Sequence, residues 1–302
     1  MAEPAISVPA PGPRVVAIGG GHGLANALRA ATTYAGALTA VVTVADDGGS
    51  SGRLRRELGI LPPGDLRKAL SAMADESALW PRTFEHRFDD GDLAGHPLGN
   101  LVLAALFETT GDVVAALDEA AALVGSAGRV LPATTEPVVL KAAIDGREVE
   151  GQVAVATAPG RIERVEVVPA DARPAPDALA AIAAADQIVL APGSLYTSVL
   201  AVLVVDGVAE AVRTAPGTVV QVGNLRPQDA ETAGMDAADH LRAILDHGGR
   251  VDVYLHPEGG DLALDPARIA GLGARAVTAD LADPPADEHD PRRLALALAA
   301  LL

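Results

Sequence analysis

The sequence predicts an α/β fold built on a mostly parallel sheet, with an antiparallel insertion midway along the chain. Three observations carry that prediction. An apolar run at Arg14 to Ile18 leads through Gly19-Gly20-Gly21-His22-Gly23 into helical apolar spacing from Leu24 to Ala30. The same order of strand, glycine turn and helix returns at Gln187 to Ser198. Strands that alternate with helices in this way form parallel βαβ units. Between the two units, Val138 to Val168 reads as short strands joined by turns, and its Asp145-Gly146 pair is a type I′ hairpin signal.

Composition limits what the fold can do. Of 302 residues, 49% are hydrophobic and 21% charged, enough for a full core. Only 2% are aromatic, so that core is built from Ala, Val and Leu. The formal charge of -17 argues against nucleic acid or an anionic membrane as partner. It leaves room for an anionic ligand held by a few local arginines. The absence of cysteine excludes disulfides, thiolate zinc sites and cysteine nucleophiles. The proline-rich stretch 1–13 reads as a disordered tail, followed by a single domain over 14–302 with a β-rich insertion around 134–170. No run approaches the ~18 apolar residues of a membrane span, so a cytoplasmic protein without membrane insertion is expected.

The first glycine turn is a phosphate-loop candidate, because glycines let an anion approach backbone N–H groups at a helix start. Gly20, Gly21 and His22 are the residues placed to do so. The dinucleotide fingerprint is not matched, since Leu24 or Asn26 stands where the third Gly or Ala belongs. A second strand at Leu38 to Val44 delivers Asp46 and Asp47 to its carboxyl end, where open α/β sheets bind ligands. These acids suit sugar or ribose hydroxyls, or a hydrated Mg²⁺. The following Gly48 to Arg55 reads as a polar loop that buries nothing, with Ser50, Ser51, Arg53 and Arg55 available to a ligand.

Pro62-Pro63-Gly64-Asp65 is a rigid turn, with Asp65 as N-cap of a helix at Leu66 to Ala74. Arg67 and Lys68 lie near the start of that helix, the unfavourable end for cations, which hints at an anion nearby. His96 and Asn100 stand where Gly and Pro fix the backbone, and could face a cleft. Helices follow at Leu101 to Phe107 and Asp112 to Val124. The hairpin strands at Val138 to Ile144 and Arg147 to Val155 come next, and then a half-exposed strand at Ile162 to Val168. The second strand-to-helix turn, Ala191 to Ser198, offers Gly193 for close approach and the hydroxyls of Ser194, Thr197 and Ser198 at a helix start. Ser194 lacks the surroundings of a nucleophile elbow. A strand at Gly217 to Val222 ends at Asn224, a candidate base or ribose contact. A helix at Ala237 to Leu245, a last strand at Val251 to Leu255 and a terminal helix from Pro291 complete the reading, with 267–288 irregular.

Several of these blocks together resemble the YvcK family of gluconeogenesis factors, relatives of the 2-phospho-L-lactate transferase CofD. They are Gly19-Gly20-Gly21-His22-Gly23-Leu24, Thr43 to Arg55, Leu61-Pro62-Pro63-Gly64-Asp65, Gly95-His96-Pro97-Leu98-Gly99-Asn100 and Ala191 to Ser198. The resemblance implies a CofD-like, Rossmann-like three-layer α/β/α fold. It implies a nucleotide-sugar ligand, a UDP-sugar above others, and a regulatory role in cell shape and wall synthesis during gluconeogenic growth. The related transferases instead imply phospholactate transfer from a nucleoside-diphosphate donor with Mg²⁺, which is the alternative reading. A nicotinamide-dependent enzyme is a third. A homodimer and a regulated protein partner are further expectations. The chain departs from the family pattern at Pro227 to Thr232, which lacks the usual Thr and Gly, and at Glu288-His289-Asp290, where Arg-His-Asp is usual.

Overall fold

The computed structural model describes residues 12–228, 230–282 and 288–302, so most of the N-terminal stretch lies outside the described residues. The strands in chain order begin with β1 (Arg14–Gly19), β2 (Ala37–Val42) and β3 (Arg129–Pro132). Next come β4 (Val139–Ile144), β5 (Arg147–Glu150) and β6 (Ile162–Val168), then β7 (Gln187–Leu190), β8 (Thr218–Val222), β9 (Val253–Pro257) and β10 (Arg275–Ala279). Seven of them form one sheet in the order β10-β9-β8-β7-β1-β2-β3, and every pairing within it is parallel.

A parallel sheet flanked by helices is buried on both faces, so its strands read as unbroken apolar runs. Val15 to Ile18 and Ile188 to Leu190 are each no more than 2% exposed. Removing each such Val, Ile or Leu from water contributes roughly 1.5–3 kcal/mol. The chain winds outward from β1 through β2 to β3, then returns to lay β7 on the other edge of β1 and winds the opposite way. The strand order therefore reverses between β1 and β7, and a crevice opens there at the carboxyl ends. Both glycine turns predicted from sequence leave the sheet at this point.

The β-rich middle segment is a separate three-stranded antiparallel sheet, β5-β4-β6. Its hairpin turns at Asp145 and Gly146, both with positive φ as the turn type requires. The second strand of that hairpin is shorter than predicted: it ends at Glu150, and Gln152–Thr157 is helical.

Three other expectations are corrected. Gly48 to Arg55 is not a loop that buries nothing: helix α2 runs over Gly49–Leu58 and buries Ser50, Ser51, Gly52 and Leu54. Helix α3 (Gly64–Ala72) starts before Asp65, which sits in its first turn and is not its cap. The strand at Val253–Pro257 is not the last, because β10 follows it inside the stretch expected to be irregular. The strand β3 was unforeseen, its four residues being too few to show a pattern. Among the described residues no single helix is long and apolar enough to cross a membrane.

Candidate functional site

Helix α1 (Gly21–Ala31) leaves β1 through Gly20, whose backbone is extended, and Gly21, whose φ of 63° is left-handed. Its first backbone bond is donated by Leu24 N–H to the Gly20 carbonyl at 3.3 Å. The N–H groups of Gly21, His22 and Gly23 are left at the open end, and no side chain caps them. Such an end carries a partial positive charge and directed donors, the requirements of a phosphate site. Only glycine fits at position 20. A Cβ there would lie 2.5 Å from the Asp65 carboxylate and 2.8 Å from the Thr43 methyl.

The turn after β7 presses against the first. A Cβ on Gly23 would sit 1.8 Å from the Pro192 carbonyl oxygen, so the two turns share one surface. Here the sequence reading needs three corrections. Gly193 does not offer its N–H to a ligand, because that group donates to Asn224 Oδ1 at 2.6 Å. Asn224 is accordingly a clamp on this turn and not a base contact, since its Nδ2 also donates to the Gly193 carbonyl at 2.9 Å.

Thr197 is fully buried and donates its hydroxyl to Glu231. The other oxygen of the same carboxylate accepts from Tyr196 N–H at 3.0 Å and Thr197 N–H at 3.3 Å. The helix that begins here opens with a π-helical turn, Leu195–Leu200, and already has its anion. Helix α1, by contrast, brings to this crevice an N–H end that no side chain caps.

The two turns line a cleft of about 380 Å³. Gly20 to Gly23 form its floor together with Pro192 and Gly193, and Asn26, Ser194 and Ser198 add polar side chains. The far wall is Asn224 to Gln228 with Glu288 and His289. Asn26 Nδ2 donates to Glu288 at 3.1 Å, and His289 Nε2 meets the Gly223 carbonyl at 3.0 Å. Burial pushes the His289 imidazole down to about 4, so it is neutral at physiological pH and its Nε2–H donates to Gly223. Arg226, half exposed and 3.7 Å from Asp261, is the cation of this wall.

The acid–glycine–serine block does not line this cleft. Asp46 Oδ1 accepts from Gly48 N–H at 2.9 Å, and Asp47 Oδ1 accepts from Val153 N–H at 2.9 Å. Burial, reinforced by nearby Asp65, raises the Asp46 carboxyl above its ordinary value. Ser51 Oγ accepts from Gly64 N–H at 3.0 Å and fastens α2 to α3. Arg53 and Arg55 donate to the carbonyls of Ala94 and Val138. Ser50 Oγ lies 2.8 Å from His96 Nδ1 and accepts from Asn100 Nδ2 at 3.0 Å, a buried trio that includes both residues expected to face a cleft. Burial, with Arg53 nearby, lowers the His96 pKa.

The block acts as a brace, and the acid beside the first glycine turn is Asp65 of α3. The two adjacent acids do not fit a shared Mg²⁺. Asp46 turns toward Gly64 and Asp47 toward Gly151, each with its own amide partner. Among the described residues no three His, Asp or Glu side chains are grouped to hold a metal ion.

Ser198, one of the hydroxyls expected at the second turn, lines the cleft. Asn26, Gln228 and His289 also line it and Glu231 supports it, and none of these four was among the expected ligand residues. The departures at Pro227 to Thr232 and Glu288-His289-Asp290 were the available signal, because both fall on this wall or its support.

The chain is 46% identical to the gluconeogenesis factor of Halalkalibacterium halodurans over 249 residues, covering 81% of this chain and 77% of that one. It is 45% identical to the gluconeogenesis factor of Bacillus subtilis over 239 residues, with 78% and 75% covered. The crystal structure of a UPF0052-family protein from Bacillus halodurans superposes with a TM-score of 0.89 at 38% identity, covering 94% of this chain and 98% of that one. The family described as 2-phospho-L-lactate transferase CofD matches residues 15–281, and the chain belongs to it.

Proposed function

We propose that the protein is a regulator that binds a nucleotide sugar, a UDP-sugar above others, and that it serves cell shape and wall synthesis during gluconeogenic growth. The observation that carries the binding is the uncapped N–H end of α1, open to a cleft at the strand-order reversal while the neighbouring helix is already capped by Glu231. The diphosphate rests on the N–H groups of Gly21 and His22. Asn26, Ser194, Ser198 and Gln228 supply the neutral polar contacts that sugar and ribose hydroxyls need. The regulatory role is supported by the gluconeogenesis-factor name of the relatives. A cytoplasmic location, a homodimer and a regulated protein partner complete this reading.

Calorimetry with UDP-sugars tests it. Ser194→Ala and Gln228→Ala are expected to weaken binding about threefold to tenfold each, the range for one neutral hydrogen bond. Asp46→Ala is expected to leave affinity near that of the parent. An absence of binding heat for every UDP-sugar would end the proposal.

The family match favours a second reading, phospholactate transfer from a nucleoside-diphosphate donor. Such a transfer needs positioning and charge neutralisation more than a protein nucleophile, and the same cleft would hold the donor. Incubation with a guanosine-diphosphate phospholactate donor, deazaflavin acceptor and Mg²⁺ decides it by product formation.

A further inference from the structure

A second cavity, of about 550 Å³, shares His22 with the nucleotide cleft and has a different chemistry. In a chain of net charge -17, this one hollow is lined by five cations, Arg29, Arg67, Lys68, Arg82 and Arg87, against two carboxylates, Glu76 and Glu85. Three of the cations are matched within the protein. Arg29 donates to Glu76 at 2.6 Å, Lys68 to Asp65 at 3.0 Å, and Arg67 to Glu85. Among the described residues, Arg82 and Arg87 meet no carboxylate, although Arg87 donates one N–H to the Gly95 carbonyl, and both are exposed.

The floor carries a second, independent sign. Ser71 is 7% exposed and Arg67 3%, yet Ser71 Oγ and Arg67 Nε have no hydrogen-bond partner. A buried guanidinium N–H left without an acceptor is unfavourable by about 1–3 kcal/mol, so such groups mark where an acceptor belongs. The arrangement also accounts for two cations near the N-terminal end of α3, which its macrodipole disfavours and a bound anion would offset.

We propose that this cavity is a second ligand site, built for a small phosphomonoester dianion and separate from the nucleotide cleft. Arg82 and Arg87, which meet no carboxylate, supply the positive charge and the N–H donors that a phosphate dianion needs. The Ser71 hydroxyl lies just beneath this floor without a partner, a neutral donor that a rotamer change would bring to the ligand. A monocarboxylate brings one negative charge where a phosphomonoester brings two.

The test is calorimetric titration of the full chain with glycerol 3-phosphate at low ionic strength, with glycerate and glycerol as controls. Trp80, the single tryptophan, precedes Pro81 and Arg82 of the cavity wall and gives a parallel fluorescence signal. One saturable site is expected, with affinity falling as salt is raised. Arg82→Ala and Arg87→Ala are each expected to weaken it about tenfold, while circular dichroism shows the fold retained. Ser71→Ala is expected to weaken it about threefold.

Binding is expected to persist in Ser194→Ala and in the presence of saturating UDP-sugar, so failure of the nucleotide reading leaves this result intact. No saturable binding would overturn the proposal. So would equal binding of glycerate, indifference to both arginine variants, or competition by UDP-sugar.

Discussion

Asn224 holds both backbone polar groups of Gly193, accepting from its N–H at 2.6 Å and donating to its carbonyl at 2.9 Å. The bonds tie the end of β8 to the turn after β7 and fix the height of that turn beside Gly23. Asn224→Ala removes both partners from groups that stay largely shielded from water. The loss is expected to be about 2 kcal/mol, read as a lower urea midpoint with unchanged m-value. UDP-sugar affinity should fall with it, because the floor of the cleft is no longer pinned.

Glu231 is the anion of the second helix start. Its carboxylate serves two backbone N–H groups and the Thr197 hydroxyl, and it is 6% exposed. Glu231→Ala exposes that N–H end and is expected to destabilise the fold by about 2–3 kcal/mol. Added phosphate should raise the melting temperature of this variant by more than that of the parent, whose own anion sites set the baseline. Equal responses in the two proteins would show that Glu231 does not occupy an anion position.

The sheet was legible because its strands are buried on both faces and announce themselves as apolar runs, as Val15 to Ile18 does. The site was legible at α1 for a related reason, since three consecutive glycines after a strand have few structural uses. What escaped was what depends on pairing across the chain. A helix start looks the same in sequence whether a ligand or Glu231, more than thirty residues on, supplies its anion. The stretch Asp46 to Arg55 misled for the converse reason. It holds a helix with one apolar buried residue, Leu54, and polar groups that brace neighbours at Gly64, Ala94, Val138 and Val153. Apolar periodicity cannot reveal such a helix.

Gly23 is set by contact and not by its own dihedrals. A methyl group there meets the Pro192 carbonyl oxygen at 1.8 Å, which is backbone and cannot rotate away. Gly23→Ala is therefore expected to force the two turns apart, costing about 3 kcal/mol by overpacking. Gly271→Ala, where a Cβ meets nothing within 4 Å, is the control and should stay within about 0.5 kcal/mol of the parent. Thermal melts of the two variants separate a steric cause from a general intolerance of alanine.

Two buried histidines give the fold a defined acid limit. Burial holds both His240 and His289 at about 4, against an ordinary value of 6.5. Each is neutral in the folded chain, whereas the unfolded chain takes up their protons from about pH 6.5 downward. Stability from this source is level above that pH and falls as pH drops toward 4. Below 4 the folded state also binds the protons and the curve flattens. The loss is at most about 3 kcal/mol per histidine. His240 Nε2 has no hydrogen-bond partner, so His240→Leu removes the titration without orphaning a neighbour. Urea midpoints measured from pH 7 to 4.5 should fall less steeply in that variant. An unchanged slope would place the acid sensitivity elsewhere in the chain.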